Sequence, residues 1–555
     1  MNKSFREKLM ETMLDIVAEP SITGTADENL ASDRIYAIFE AIPYFKNNPQ
    51  NLKKIKIKDD PLERTYITAM YRSKVDTNRT ILLAGHHDVV DIESYGHLKD
   101  LAFSPNELTK RISELSLSEE ARQDLDSGEW LFGRGVNDMK YGLALAIELI
   151  RELSEKDDLT GNILFLSVPS EEYNSEGMLS AVDELVALQD KGCEYVSLLL
   201  LEPSSLGSAT EPKTFHMGAV GKLNPLFFFT GKETHVSESL NGLNANSLAS
   251  ELNRLLELNL DLCEEFDGEL TVPPTCLKQL DLKDLYNATT PLYAASYYNM
   301  ETLNVKTEDL MKKLRELATR AFENVLSDYE AKCKKFQEIQ KRAIKPVQIK
   351  PFVISYSELY QEVKKAYGNE FDCHLDSKVR EWEEAGCDKQ TIAIDIVRET
   401  CAWYSNKTPM IVIGFAPPYY PNRYPDLERP DYKALYRNVD AMIRQAREQF
   451  QIDIVKNNFC GVSDFSYFEL GDKEGIHEMS SNLLGLGKTY RFPADGLKKL
   501  SIPGIVFGPL GKDPHKFTER IHVPYSFDVV PALVRDFIYR TFQTDHYYIL
   551  LKEEL

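Results

Sequence analysis

Thr80–Asp91 reads TILLAGHHDVVD. Ile81, Leu82, Leu83 and Ala84 form a continuous apolar run, which predicts a strand buried on both faces. The run stops at Gly85, and His86, His87 and Asp88 follow. Two imidazoles and a carboxylate therefore stand at the carboxyl end of a buried strand. In open α/β sheets that end is where ligands bind, because the loops beyond it open into the crevice between crossover connections. Later strands are expected to bring partner groups to the same edge.

Further runs meet that expectation. Asn162–Val168 (NILFLSV) ends at Pro169, Ser170, Glu171 and Glu172, and Val196–Leu201 (VSLLLL) ends at Glu202 and Pro203. Between them, GRGVNDMKYG sets Asp138 ahead of a helix marked by Leu143, Ile147 and Ile150 at helical spacing. A late strand, Gly504–Phe507, leads into GPLGKDPHKFTERIHVPYS, which brings His515, Thr518 and Glu519 to the edge. Strands alternating with helices predict an α/β fold with a mostly parallel central sheet and right-handed crossovers.

At 555 residues the chain exceeds what one hydrophobic core supports, so two domains are expected. Residues 4–18 read as an amphipathic helix, 93–128 as a polar helical insertion, and Tyr432–Phe450 and Phe527–Thr541 as late helices. Beyond Gly207 the texture changes. LNPLFFFT (223–230) reads as a strand, Thr289–Leu303 as two antiparallel strands, 307–341 as a long charged helix, and Met410–Phe415 as another strand. An α+β domain at 218–428 is therefore expected to interrupt a first domain made of 1–217 and 429–555.

Composition narrows the partners. Asp and Glu total 87 against 65 Lys and Arg, a net charge of −22, which argues against nucleic acid and acidic membrane surfaces. The eight cysteines are scattered without a CxxC pair, as in reduced thiols of a cytoplasmic protein. The first residues lack the apolar core of a signal peptide, and no run approaches a membrane span.

Five side chains converge on one edge: His86, Asp138, Glu172, Glu202 and His515. One histidine and one carboxylate for each ion, with a shared carboxylate between, is a ligand set for two adjacent divalent cations. Zinc leads, and cobalt or manganese suit the same donors. Asp88 is placed to accept the second ring proton of His86. Glu171, beside a ligand, is placed to act as general base toward a metal-bridged water. His87 is the rival of His86, and His522 of His515; the spacing to Asp88 and the following Thr-Glu favour the first of each pair. Ser463 and Asp464 read as a turn, and His97, His216, His374, His477 and His546 as structural.

The ordered motifs GHHDVV, GRGVNDMKYG, PSEEYNSEG, EPSS and HKFTE resemble those of the M20 metallopeptidase family, which includes carboxypeptidase G, aminoacylases and succinyl-diaminopimelate desuccinylase. Within it the chain most resembles the long arginine-utilisation, RocB type, including the PPYYPN segment at 417–422. The resemblance covers about 1–250 and 455–530 and is poor over 325–405. It implies a zinc-peptidase-like catalytic domain interrupted by an enlarged lid. It also implies that His86 and Glu202 bind one metal, Glu172 and His515 the other, and that Asp138 bridges. His235 matches the lid histidine that polarises the scissile carbonyl, in dimeric members from the neighbouring subunit, so a homodimer through the lid is an expectation. Two departures stand out. Tyr141 replaces the usual glycine after Asp-Met-Lys, and Glu301 lies where many members carry a carboxylate-binding arginine.

The reading is a dinuclear zinc hydrolase cleaving an amide bond of a short peptide or N-acyl amino acid, within arginine or amino-acid catabolism. The alternatives are hydrolysis of a small non-peptide C–N bond and an inactive metal-holding interaction protein.

Overall fold

The computed structural model describes residues 3–203, 213–341, 346–471, 473 and 475–543. EPSS is thus described only as far as Pro203, and His546 lies outside the described residues. The chain forms two compact units, one of Met1–Ala219, Arg423–Leu470 and Asp495–Leu555, the other of Val220–Asn422 and Gly471–Ala494.

The larger unit is built on an eight-stranded mixed sheet. In spatial order its strands are Leu52–Lys56, Thr65–Tyr71, Asn162–Val168, Arg79–His86, Glu194–Leu200, Gly504–Val506, Lys213–Ala219 and Ile454–Cys460. The four central strands run parallel. The first two join antiparallel, and the last two form a parallel pair that meets its neighbour antiparallel at Val506 and His216. Ile81, Leu82 and Leu83 are wholly buried, so both faces of the His86 strand are covered, which is why its sequence shows no alternation.

Helix Lys140–Lys156 packs on that strand and on helix Phe5–Val17. Its close approach rests on Gly142, where a Cβ would stand 2.3 Å from the Leu201 carbonyl oxygen. Ser4 starts Phe5–Val17 with a capping box closed by Glu7.

The smaller unit holds a five-stranded sheet, in the order Thr275–Asp281, Tyr293–Thr302, Gly221–Thr230, Met410–Tyr420 and Val353–Ser355. Its pairings are antiparallel except the last. Leu226, Phe228 and Val412 on this sheet share a core with helices Tyr356–Tyr367, Asn369–Glu384 and Lys389–Trp403. The stretch over which the resemblance was poor is thus largely helical.

Two expectations need correction here. Thr289–Leu303 supplies one strand, not two: Tyr293–Thr302 takes Thr275–Asp281 and Gly221–Thr230 as its antiparallel neighbours. The expected boundary also misplaced 471–494, which returns to the smaller unit. Leu484 is buried in that unit's core and its N–H donates to the Phe415 carbonyl at 2.9 Å, while Ser357 N donates to Asn482 Oδ1. At the other boundary, Arg423 and Ala219 exchange backbone hydrogen bonds, so 423–428 stays with the larger unit.

Candidate metal centre

Parallel register decides what meets at the sheet edge. His86 pairs with Val168, and Ala84 with Leu200, so the residues just past each strand emerge side by side. Glu171 and Glu172 follow the first of these neighbours and Glu202 the second. Asp138 enters one residue before the cap of helix Lys140–Lys156, through a cis peptide bond to Met139. His515 arrives from the connection between strands Gly511–Lys512 and Arg520–His522.

These side chains form two groups that share Asp138. His86 Nε2 lies 3.2 Å from Asp138 Oδ1 and 3.3 Å from Glu202 Oε1. His515 Nε2 lies 3.2 Å from Asp138 Oδ2 and 3.0 Å from Glu172 Oε1. Each carboxylate oxygen of Asp138 thus faces a different histidine. Within each group one potential ligand atom per residue lies within 4.8 Å of the others, and Glu171 forms a further group with His86 and Glu172.

The donors fit a pair of divalent cations. His86 donates from Nδ1 to the Asp88 carbonyl at 3.0 Å, which leaves Nε2 to turn its lone pair on a metal. Burial, then the neighbouring acids, pushes Glu171 well above the usual carboxylate range, and burial raises Glu202 to about 7. Burial acts the same way on Asp138, but hydrogen bonds from His515 and His86 outweigh it and hold that group low. His515 is raised to about 10 by its bonds to Asp138 and Glu172. So many acids packed together hold protons that cationic charge would displace.

The carboxylate of Asp88 does something different from the expectation. Its Oδ1 stands 3.5 Å from His86 Nδ1, while its two oxygens accept the backbone N–H groups of Glu171 and Glu172, each at 3.1 Å. The backbone carbonyl orients the histidine, and the side chain orients the Glu171–Glu172 loop. His87 points away from this cluster: its Nδ1 is 2.9 Å from Ser167 Oγ, and burial lowers it to about 3. His522 packs its ring 4.9 Å from that of Trp130 and faces Glu129. Neither rival belongs to the two groups.

His235 lies in the smaller unit, exposed, with Nδ1 accepting from Ser237 N and 2.7 Å from Ser237 Oγ. Among the described residues, the groups of metal-type ligands include none from that unit. Tyr141, which stands in place of the family's usual glycine near Asp138, is wholly buried; its hydroxyl donates to the Ser526 carbonyl and its ring meets Phe527 edge-on. Its bulk fills core.

Glu519 has a place that the sequence reading did not assign. Fully buried, it accepts from the Asn137 and Asp138 N–H groups at 3.2 and 3.3 Å, and from Arg134 Nη1 at 2.6 Å. It therefore holds the turn that presents Asp138. A cavity of about 440 Å³ opens from the cluster and extends to Thr214, His216, Cys460 and Ser463. Ser463 both lines it and caps the turn Asp464–Phe468, so the expected turn and the cavity wall coincide. Burial pushes Asp464 up to about 8. Thr214 and His216 were missed because their strand had not been recognised; the alternation in KTFHMGA was the available signal.

The family model for peptidase family M20/M25/M40 matches residues 82–489. The chain belongs to this family. Two long relatives from Bacillus subtilis match nearly end to end. The uncharacterized protein YqjN is 34% identical over 540 residues, 96% of each chain, and protein RocB 30% identical over 567 residues, 99% of this chain and 97% of its own. Among solved structures, a Staphylococcus aureus tripeptidase superposes with a TM-score of 0.54 at 13% identity, covering 97% of this chain and 99% of that one. An M20 metallo-carboxypeptidase from Sulfolobus solfataricus gives 0.53 at 12%, covering 96% and 99%. These likenesses establish the M20 peptidase fold. As an M20 member the protein is a metallohydrolase of the peptidase and amidohydrolase class. Among the described residues no helix is long and apolar enough to cross a membrane.

Proposed function

We propose that this M20 protein hydrolyses the amide bond of a short peptide or an N-acyl amino acid. The observation that carries the reading is the pair of ligand groups sharing Asp138, with Glu171 beside both histidine-bearing halves. In it, His86 and Glu202 would hold one cation, Glu172 and His515 the other, and Asp138 both. Two divalent ions, zinc before cobalt or manganese, supply an acidified water and a Lewis-acid contact for the amide carbonyl.

The remaining work falls to side chains of this chain. Glu171 accepts the proton at its carboxylate and returns it to the leaving nitrogen. Its position suits that task, since it groups with His86 from one half and Glu172 from the other. Asp88 keeps Glu171 in place through the backbone bonds described above. The resemblance gives His235 the polarising of the scissile carbonyl, and a fall in kcat in His235→Ala tests that role.

A second reading, a small non-peptide C–N bond in arginine or amino-acid catabolism, draws on the nearly full-length likeness to RocB. A homodimer through the smaller unit has support in Leu258, Leu260, Leu270, Val272 and Leu277, all exposed near the edge strand Thr275–Asp281. A sedimentation mass of one chain would refute it. Small-molecule substrates in the cytoplasm, without nucleic acid or membrane, complete the proposal.

The deciding experiment measures bound metal after zinc loading in wild type and Asp138→Ala, with turnover of a mixed dipeptide, N-acyl amino-acid and small C–N substrate panel. Two ions per chain, lost with turnover in the variant, support the hydrolase. Wild type without metal refutes the site, and two ions without turnover favour the interaction-protein reading.

A further inference from the structure

We infer that the wall of the cavity formed by Thr214, His216 and Ser463 recognises a non-anionic substrate group that donates an N–H hydrogen bond, such as a carboxamide or guanidinium. The inference rests on the proposed hydrolase and adds its substrate class.

Strand Lys213–Ala219 alternates. Phe215 and Met217 enter the core, Phe215 stacked on Phe507 at 4.2 Å, and Thr214 and His216 take the opposite face, which lines the cavity. His216 is fixed in one tautomer, because its Nδ1 is 2.9 Å from the Phe459 carbonyl and must donate there. Its Nε2 then carries a lone pair that no donor among the described residues meets, on a half-buried ring. Burial holds the ring below its ordinary pKa, so it stays uncharged near neutrality.

The other groups on this wall add no cation. Ser463 Oγ accepts from Phe465 N at 3.3 Å and lies 3.8 Å from Cys460 Sγ, and its hydroxyl can turn to donate, as to a carboxamide oxygen. The Cys460 thiol, raised to about 12 by burial, remains protonated and lies 3.1 Å from the Gly461 carbonyl. Apart from the histidines, no basic side chain is among the described residues lining the cavity, and the charged groups of the metal cluster lie at its other end. A substrate carboxylate directed at this wall would meet the Nε2 lone pair with no basic side chain of the wall to pair it. An N–H group would satisfy it. A site built to accept a hydrogen bond discriminates strongly, because the wrong partner leaves a desolvated acceptor unpaired.

The test uses zinc-loaded enzyme and matched dipeptides and N-acetyl amino acids carrying Asn, Asp or Leu, and Gln or Glu, at each position in turn. At one position kcat/KM for Asn or Gln should exceed that for Asp, Glu and Leu by at least about tenfold. His216→Leu should erase the Asn-over-Leu ratio through KM, and His216→Gln, which keeps an acceptor, should restore part of it. An unchanged ratio in His216→Leu overturns the inference.

A second readout needs neither turnover nor a folded variant. In wild type carrying ¹⁵N-labelled histidine, the Nε2 resonance of the neutral Nδ1–H ring bonded to Phe459 should move with acetamide and not with acetate. No movement with acetamide, or equal movement with both, also overturns it. If the substrate panel is not cleaved at all, the hydrolase reading fails while this measurement still decides the recognition wall.

Discussion

Glu171 is the residue on which chemistry and architecture separate most cleanly. Its carboxylate is assigned proton transfer, and its backbone N–H is tied to Asp88. Glu171→Gln keeps the backbone bond and the neighbouring ligands but removes the base. The expected outcome is retention of both metal ions with kcat lowered about 10²- to 10⁴-fold, checked by elemental analysis beside steady-state kinetics. His87 makes a different prediction. An unfolded histidine titrates near pH 6.5, whereas burial lowers this one to about 3. As pH falls from 6.5 toward 3 the unfolded chain gains a proton that the folded chain refuses. The stability present above pH 6.5 is therefore lost on the acid side, by up to about 1.4 kcal/mol per pH unit. Denaturant titrations between pH 7 and 5 should show a shallower slope in His87→Gln than in wild type.

At the scale of the element, the turn before helix Lys140–Lys156 depends on a buried ion pair. Arg134 and Glu519 are almost wholly enclosed, and Glu519 bonds the Asp138 backbone. Removing one partner strands a charge, so Arg134→Met is expected to cost about 3–5 kcal/mol in equilibrium unfolding. Elements also differ in how plainly the sequence shows them. Asn162–Val168 is legible to the residue because both its faces are buried and the apolar run is unbroken. Lys213–Ala219 and Ile454–Cys460 are not: one carries Thr214 and His216 toward the cavity, and the other exposes Val455 and Lys456 at the sheet's edge. Convergence of His86, Glu172 and Glu202 is legible from strand order, since parallel strands deliver their ends to one side, whereas Asp138 comes from the turn before a helix and His515 from a later connection. Asp88's hold on the Glu171–Glu172 backbone is not, because it depends on a loop conformation that composition does not encode. Nor is the return of 471–494, whose apolar residues would suit either unit and whose partner, Phe415, lies far back in the chain.

Taken as a whole, the molecule is threaded rather than appended. The chain passes between its units at 219/220, 422/423, 470/471 and 494/495. Strand Gly504–Val506 then returns to the interior of the large sheet, between Glu194–Leu200 and the Lys213–Ala219 pair. A chain ended at Pro503 would leave those two edges open. Its expression should yield aggregated protein, whereas the full chain stays in the soluble fraction, a comparison made by centrifugation and gel.

The same placement bears on the order of synthesis. A nascent chain carries two incomplete half-sheets until Gly504–Val506 has been made, and His515, the last of the five clustered side chains, emerges just after that strand joins them. Completion of the sheet and completion of the constellation are thus confined to one late stretch, 504–515. A chain made only as far as residue 514 lacks one of these groups, so the site becomes competent only once that stretch has been added.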